Sequence, residues 1–299
     1  MKKILYVCAA IAAFASCQKP STMSPEIPQQ PDEEKLRINL AADIQTKVTD
    51  TYFETGDRVG IYVVSYRNGN PGTLTVSGNL YNNVMHEFGA TSWTPSQEMY
   101  WPDKETPADF YCYYPYGNPG NVTAYPFTVN ADQSSLVNYK ASDFVWGKAT
   151  AVAPTEDLIN IATHHAMSNI HIYIRPGDGF TAESLAAAQV QVSVRNVKNG
   201  AYVNLSTGNV TATGSIAQIV PYNEGDYYRA IVVPQTVADG SQLIVVNVNG
   251  VDYALKKGFT FLSGKQHKFT VNVNKTGSGV NVGVGDWEVD TEDNGGDAE

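Results

Sequence analysis

Residues 109–116 read DFYCYYPY, a stretch in which aromatic side chains occur at both odd and even positions. Successive side chains of a β-strand point to opposite faces of its sheet, so this pattern places large rings on both faces at once. Such a strand is typical of the interior of a sheet that is covered on both sides. We therefore expect residues 110–114 to form a central strand around which the fold is built.

Strand patterns extend in both directions from this stretch. Leu36, Ile38 and Leu40 share one face of a predicted first strand, and Arg37 and Asn39 lie on the other. Further strands are predicted at residues 59–65, 84–88, 99–101, 125–129, 158–162, 169–174, 190–194, 202–205, 227–233, 243–248, 259–262 and 267–273. Short strands at spacings of roughly ten residues favour β-sandwiches, so the sequence predicts an all-β protein.

The chain also shows one helical stretch and one candidate domain boundary. Residues 181–188 are short and Ala-rich, and Thr181 is placed to cap the amino end of a helix. Residues 149–157 are small and polar and include Pro154, which is typical of a connection between domains. We accordingly expect two sandwich domains in tandem, at residues 36–155 and 156–289.

The amino terminus has the features of an export signal. Lys2 and Lys3 precede eleven apolar residues at positions 4–14, and small residues at 15 and 16 lead directly to Cys17. Eleven residues at about 1.5 Å each cannot cross a hydrocarbon core of roughly 30 Å, which favours a cleaved signal peptide over an anchor helix. The small-small-Cys ending resembles a bacterial lipobox, in which the cysteine is acylated and becomes the new amino terminus. Residues 1–16 are thus predicted to be a lipoprotein signal, with ordinary signal cleavage as the alternative.

The regions at the two ends of the mature chain are predicted to be solvated. Residues 17–35 are rich in Pro, Ser, Gln and acid, a composition that favours a disordered tether behind the lipid on Cys17. Gln18 is not the acidic residue associated with inner-membrane retention, so the expected location is the outer membrane. Residues 290–299 contain five acids and no base and are expected to form an acidic tail.

Net charge and cysteine content limit the partners and the disulfides that the chain is expected to have. Loss of residues 1–16 removes two lysines and no acid, which changes the formal charge from −10 to −12. Nucleic acid needs a basic surface and is therefore not an expected partner. Cys8 leaves with the signal and Cys17 carries lipid, so Cys112 has no partner for an intrachain disulfide.

A search for catalytic or metal-binding patterns finds none that is specific. The sequence has no nucleophile elbow, no zinc motif, no phosphate-binding loop and no EF-hand loop. His165 and His171 would share a face of one continuous strand but about 20 Å apart, too far to hold one metal ion. We expect no enzyme activity, no metal and no cofactor.

The aromatic cluster around the central strand has two interpretations. Flat rings suit the faces of sugars, so the cluster could be a glycan-binding platform. The other interpretation is core packing, in which Tyr and Trp bury large areas. The residues concerned are Trp93, Tyr100, Trp101, Tyr111, Tyr113, Tyr114 and Tyr116.

Several segments together resemble the fimbrillin family, in particular its Mfa-like branch. The similarity covers about residues 36–289 and rests on the order and spacing of its segments. These are residues 53–62 (FETGDRVGIY), 99–103 (MYWPD), 108–116 (ADFYCYYPY), 132–134 (DQS), 143–146 (DFVW), 164–170 (HHAMSNI), 205–208 (LSTG), 264–267 (GKQH) and Trp287.

The resemblance implies both a fold and an assembly mechanism. It implies two transthyretin-like β-sandwich domains in tandem and a lipoprotein subunit or adhesin of a type V pilus. In that family a trypsin-like protease removes the first strand after an arginine, and a strand from the next subunit fills the groove. The positions that match the family's Thr-Arg-Ala triplet here are Thr46, Lys47 and Val48, so Lys47 is the candidate processing residue. A subunit that keeps its first strand would serve as an anchor or terminal component.

Residues near the carboxyl terminus suggest a donor strand. Val280, Val282 and Val284 alternate with small or polar residues behind the flexible run 275–279, which suits strand addition to a neighbouring sheet. The alternative is that they form the closing edge strand of their own domain.

Two functions from different classes follow from these features. The first is a fimbrial subunit or pilus-associated adhesin, whose partners are other fimbrial subunits, the membrane through its lipid, and a host or bacterial surface ligand. The second is a surface glycan-binding lipoprotein that does not polymerise.

Overall fold

The computed structural model describes residues 35–44, 53–89, 91–276 and 279–284, which are almost entirely β-structure. The first strands are β1 (Asn39–Ile44), β2 (Arg58–Ser65), β3 (Tyr81–Phe88), β4 (Trp93–Pro95), β5 (Ala108–Tyr114), β6 (Tyr125–Thr128), β7 (Val145–Val152), β8 (Leu158–His165) and β9 (Ser168–Pro176). The later strands are β10 (Val190–Val203), β11 (Val210–Ile219), β12 (Tyr222–Asn223), β13 (Tyr228–Val232), β14 (Gln235–Val237), β15 (Gln242–Val248), β16 (Val251–Lys256), β17 (Phe259–Phe261), β18 (Gln266–Thr276) and β19 (Gly279–Val284). Two short helices accompany them in the described residues, α1 (Leu136–Lys140) and α2 (Ala182–Ala186).

The predicted central strand is confirmed. Seven strands form one sheet in the order β1-β8-β7-β5-β2-β3-β4, which places β5 in the middle. Phe110 and Cys112 of β5 pack in one hydrophobic cluster, and Tyr111 and Tyr113 pack in the other. Both faces of the strand are therefore covered, as the alternation of rings predicted.

A glycine in β2 allows one of these rings to lie flat across the sheet. A Cβ on Gly60 would lie 2.2 Å from Cε1 of Tyr113, so no side chain fits there without displacing the ring. The hydroxyl of Tyr113 donates to Oδ1 of Asn83 at 2.7 Å and contacts the carbonyl oxygen of Gly117 at 2.9 Å. This network fixes the buried phenol by hydrogen bonds as well as by packing.

The second half of the chain forms two facing five-stranded sheets and a two-stranded ribbon. The first five-stranded sheet contains β11-β10-β15-β16 with β6 paired to β10, and the second runs β12-β13-β9-β18-β19. Ile172, Phe269 and Val271 of the second sheet share a core with Val192 and Val246 of the first. The ribbon β14-β17 pairs Gln235–Val237 with Phe259–Phe261.

Strands from both sides of the predicted domain boundary share sheets. β8 follows the boundary but pairs with β7 and β1 in the seven-stranded sheet. β6 precedes it but pairs antiparallel with β10. The all-β class is correct, and the division at residues 155 and 156 stays a prediction.

The predicted helix is confirmed, and other elements escaped prediction. Thr181 caps α2: its hydroxyl accepts from the backbone N–H of Ser184, and the Ser184 side chain reciprocates. β11 was not predicted because it is a largely exposed edge strand with the sequence VTATGSIAQI, which has no buried alternate face. The predicted strand at 99–101 is wrong, since only an isolated bridge between Arg37 and Tyr100 forms there.

Candidate assembly site

The first strand places its apolar face on a buried cluster. Ile38 and Ala42 are each 5% exposed, and Leu36 and Leu40 pack partly buried against the same cluster. Arg37 on the opposite face is exposed. The predicted face of the first strand is thus confirmed, and the segment is held by burial of every second side chain.

The segment at residues 36–44 uses both of its edges. Along one edge β1 runs parallel to β8, from Asn39 opposite Leu158 to Ile44 opposite Thr163. Along the other edge, the N–H of Ile38 donates to the carbonyl of Met99 at 2.8 Å, and the N–H of Trp101 donates to Leu36 at 2.9 Å. It therefore lies between β8 of the seven-stranded sheet and the loop that follows β4.

A tryptophan from the far edge of the sheet also contacts the first strand. Nε1 of Trp93, in β4, donates to the carbonyl oxygen of Ala42 at 3.2 Å. Because β1 and β4 lie at opposite ends of the strand order, this contact joins the two ends of the sheet. The first strand thus closes the sheet over the cluster beneath it.

The cluster beneath the first strand is large and apolar. Its members come from β2, β3, β5, β8 and the loop at 99–101, and they include Val59, Ile61, Val63, Val84, Met99, Trp101, Phe110, Cys112, Ile159 and Ile161. Burial of one large aliphatic side chain contributes about 1.5–3 kcal/mol, so loss of the strand would leave an apolar groove that favours refilling.

Polar contacts fix the register of the segment. Nδ2 of Asn39 donates to the carbonyl of Glu156 at 2.8 Å, and the Thr163 hydroxyl donates to the carbonyl of Asp43 at 2.9 Å. Arg37 and Glu98 form an exposed ion pair at 3.2 Å. The Glu98 carboxylate also accepts the hydroxyl proton of Tyr100, and this hydrogen bond raises the pKa of Tyr100.

Cys112 lies in the floor of the site. The thiol is free and 1% exposed, and burial raises its pKa. A buried thiol with a raised pKa is unreactive, so Cys112 acts here as a small apolar side chain.

The predicted donor residues lie in the edge strand of another sheet. β19 pairs antiparallel with β18, with Val280, Val282 and Val284 opposite Lys275, Val273 and Val271. Its second edge has no strand partner among the described residues. Cys17 and Lys47 lie outside the described residues, as do the predicted signal, nearly all of the tether and the acidic tail.

The aromatic residues of the central strand serve packing. Trp101, Tyr111 and Tyr113 are at most 4% exposed, whereas Tyr116 is 39% exposed. Three of the seven rings that suggested a sugar platform are therefore buried, and Trp93, Tyr100 and Tyr114 are half-buried. In the described part of the chain, no three His, Cys, Asp or Glu side chains are grouped to hold a metal ion. None of the helices described there is long and apolar enough to span a bilayer.

The sequence does not predict the role of Gln133, a buried residue that bonds a distant part of the backbone. Gln133 is fully buried, and its side-chain amide bonds both the N–H and the carbonyl of Ile231, at 2.8 Å each. In the sequence, Asp132 and Gln133 stand out only as part of a segment that resembles the family. No local pattern indicates a partner 98 residues away.

Comparison with known proteins identifies the family of the chain. A family model described as fimbrillin-like matches residues 46–287. A Bacteroides uniformis protein named as a candidate fimbrium subunit, Fim1C, is 25% identical over 303 residues, covering 96% of each chain.

Solved structures show the same fold. A candidate cell-adhesion protein from Bacteroides uniformis superposes with a TM-score of 0.62 at 23% identity, over 87% of this chain and 100% of that one. Another from Bacteroides ovatus gives a TM-score of 0.65 at 18% identity, over 85% of this chain and 98% of that one.

Proposed function

Because the chain belongs to the fimbrillin-like family, we propose that it is a fimbrial subunit that is tethered to the outer membrane by lipid on Cys17 and assembles by strand exchange. The observation that carries the assembly part is the first strand, which closes the seven-stranded sheet through both of its edges. Its departure would open a groove of matching length over an apolar cluster.

The groove has the two properties that strand addition needs. The free edge of β8 would offer main-chain donors and acceptors, which give affinity. The spaces left by Ile38 and Ala42 would take alternate side chains of an incoming strand, which give register and specificity. Lys47 stands just beyond β1, where cleavage would separate that strand from the rest of the chain.

The proposed donor is the segment Val280, Val282 and Val284 of a neighbouring subunit. Its apolar residues alternate with small or polar ones, and in the part of the chain that the structure describes β19 pairs with its own sheet along one edge only. An edge strand is released at the cost of one ladder of hydrogen bonds, which makes it a better donor than a central strand.

Trypsin treatment of the full chain tests processing and assembly together. Cleavage after Lys47 should convert monomers into polymers that are visible by size exclusion and electron microscopy. The Lys47→Gln variant should stay monomeric under the same treatment. Persistent monomers after confirmed cleavage at Lys47 would rule out this groove as the acceptor.

The donor is tested by a chain that begins at Val48, which should polymerise. The same chain truncated after Thr276 should remain a folded monomer. If it still forms oligomers, the donor lies elsewhere in the sequence. If it fails to fold, residues 279–284 belong to their own domain and the donor assignment is wrong.

The membrane tether is tested through the single acylation candidate. Cys17→Ser should release the protein from membrane pellets and abolish labelling by radioactive palmitate. Acyl chains contribute about 0.8 kcal/mol per buried CH₂, so two or more chains hold a protein effectively permanently. Palmitate label that survives in the variant would contradict the lipid tether.

A further inference from the structure

The strands β12, β13, β9 and β18 of the second five-stranded sheet contain no acidic residue. Side chains alternate between the two faces of a strand, and Ile170, Ile172 and Phe269 point into the core. The residues that alternate with those of the core form the outer face of these strands: Tyr222, Arg229, Ile231, Asn169, His171, Tyr173, Arg175, Gln266, Lys268, Thr270, Asn272 and Asn274. The whole chain has 30 acidic and 20 basic residues, so a face with three cations and no acid differs in charge from the protein as a whole.

Tyr173 holds two cations on this face. The Lys268 ammonium lies 5.2 Å from the centre of the Tyr173 ring, and the Arg175 guanidinium carbon lies 6.0 Å from it. Tyr227 stacks beside Tyr173 with the ring centres 5.2 Å apart. Lys268 and Arg175 are exposed, and neither forms an ion pair with a carboxylate of the described residues. An aromatic ring attracts a cation without neutralising its charge, so both charges stay available at the surface.

The third cation of the face, Arg229, is already neutralised. It is 6% exposed, and Oε2 of Glu224 lies 2.6 Å from its Nε. Its guanidinium also lies 4.4 Å from the centre of the Tyr139 ring, in α1. Arg229 therefore ties the sheet to α1, and an anion that approaches the face meets Lys268 and Arg175.

Two buried polar atoms of the same face have no hydrogen-bond partner among the described residues. They are Nε2 of His171 and Oδ1 of Asn169, two positions apart on β9. Burial and the positive Arg229 lower the pKa of His171 to about 4, so its ring is neutral at physiological pH. A hydroxyl group can pair with a neutral imidazole nitrogen in either tautomer, and it can donate to an amide oxygen. A carboxylate has no proton to donate to Asn169, so these two atoms favour hydroxyl groups, which reach them directly or through a water.

Side-chain amides lie on both sides of Lys268 along β18. Gln266 is two positions before it, and Asn272 is four positions after it on the same face. Both are half-buried, so part of each side chain reaches the surface. An amide both donates and accepts hydrogen bonds, as the hydroxyl groups of a sugar do. The face thus combines free cations with groups that suit hydroxyls.

We propose that this outer face binds a polysaccharide that contains anionic sugars, with Lys268 and Arg175 contacting the charged groups and the amides of β9 and β18 contacting the hydroxyls. Charge complementarity selects an anionic partner. An acidic peptide would meet the cations equally well, but it would bring few hydroxyls to the polar groups around them. The proposal goes beyond assembly by strand exchange and does not depend on it, because the first strand belongs to the seven-stranded sheet and a monomer carries the whole face.

Biolayer interferometry with the full chain in its monomeric form tests the charged contacts. The protein should bind immobilised polygalacturonate or dextran sulfate and should not bind neutral dextran. Arg175→Gln with Lys268→Gln should weaken the affinity at least ten-fold. Lys104→Gln with Lys256→Gln removes the same charge from two other exposed positions and should change the affinity less than two-fold. Equal weakening by the two pairs, or no binding to either anionic polysaccharide, would overturn the proposal.

A second set of measurements separates sugar from acidic peptide and tests the ring. Polyglutamate of similar length should bind at least ten-fold more weakly than the better anionic polysaccharide. Equal affinity would show that the face recognises negative charge alone, which would refute a sugar partner. Tyr173→Leu keeps the charge but releases both cations, so it should weaken binding at least three-fold. Tyr202→Leu removes an exposed ring from β10 and should leave binding unchanged. Circular dichroism checks that each variant is folded, and the same affinity in both leucine variants would contradict the role of Tyr173.

Discussion

Gln133 is a single residue whose hydrogen bonds connect segments that are far apart in the sequence. Its side chain satisfies the N–H and carbonyl of Ile231 on β13, and its own N–H donates to Val220 at 2.9 Å. Nε2 also donates to the carbonyl of Asn130 at 3.0 Å. The side-chain amide thus takes the place of a neighbouring strand beside Ile231, a part of β13 with which β12 does not pair, and it does so in a fully buried setting.

Replacement of Gln133 by leucine should therefore be costly. Two buried backbone groups of Ile231 would lose their partners, at about 1–3 kcal/mol each, so we expect a loss of about 2–6 kcal/mol in the free energy of unfolding. Urea denaturation, monitored by circular dichroism, measures this change in the free energy of unfolding. Gln218→Leu on the exposed strand β11 is the control and should change stability by less than about 0.5 kcal/mol. Equal losses in the two variants would show that the Ile231 contacts are not the cause.

At the level of single elements, the first strand is short for the amount of the sheet that it covers. β1 is six residues long, yet together with residues 36–38 it covers the edge of β8 and links the two ends of the seven-stranded sheet. The segment 36–44 is held by the six-residue ladder to β8, by two deeply buried side chains, Ile38 and Ala42, and by backbone bonds to residues 99–101. A short segment with only two deeply buried side chains is typical of one that opens locally before the whole domain unfolds.

A charge at Ile38 should reveal this local opening. Ile38→Asp places a carboxylate in the apolar cluster, which should raise the amide exchange rate of β8 at least ten-fold while β2 stays protected. Hydrogen–deuterium exchange with peptide resolution measures both strands in one sample. Arg37→Ala alters the exposed neighbour and should leave both rates unchanged. Equal acceleration in β2 would mean that the first strand unfolds only with the whole domain.

At the scale of the whole molecule, buried histidines link stability to pH. Burial and the positive Arg229 lower the pKa of His171 to about 4, and burial together with Lys265 does the same for His267. Burial also lowers the pKa of His86. The unfolded chain binds these protons near pH 6.5, so it gains protons before the folded chain does.

Stability should therefore be full above about pH 6.5 and fall as the pH drops towards 4. The two most shifted histidines contribute roughly 3 kcal/mol each at the lower limit. Urea midpoints at pH 7, 6 and 5 measure the fall. His171→Gln should flatten the dependence, whereas His164→Gln, at an exposed position, should not. A midpoint that is constant between pH 7 and 5 would contradict the neutral buried state.

The sequence by itself determined the local features of this protein. The rings of residues 109–116 predicted a central strand covered on both faces, and the alternation at 36–40 predicted the buried face of the first strand. Thr181 predicted the start of α2. These predictions succeed because the period of apolar residues and the chemistry of a cap depend on neighbours within a few positions.

Only the tertiary structure decided which elements meet. β1 runs parallel to β8, β6 joins β10, and Gln133 binds Ile231, although each pair is far apart in sequence. The strand that sequence placed at 99–101 is instead a short bridge to the first segment. The alternation of apolar residues in a strand states which face is buried, but it does not state which other strand lies beside it. Backbone hydrogen bonds are the same for every residue type, so they do not select a partner. The partner strand is selected by the packing of the whole core.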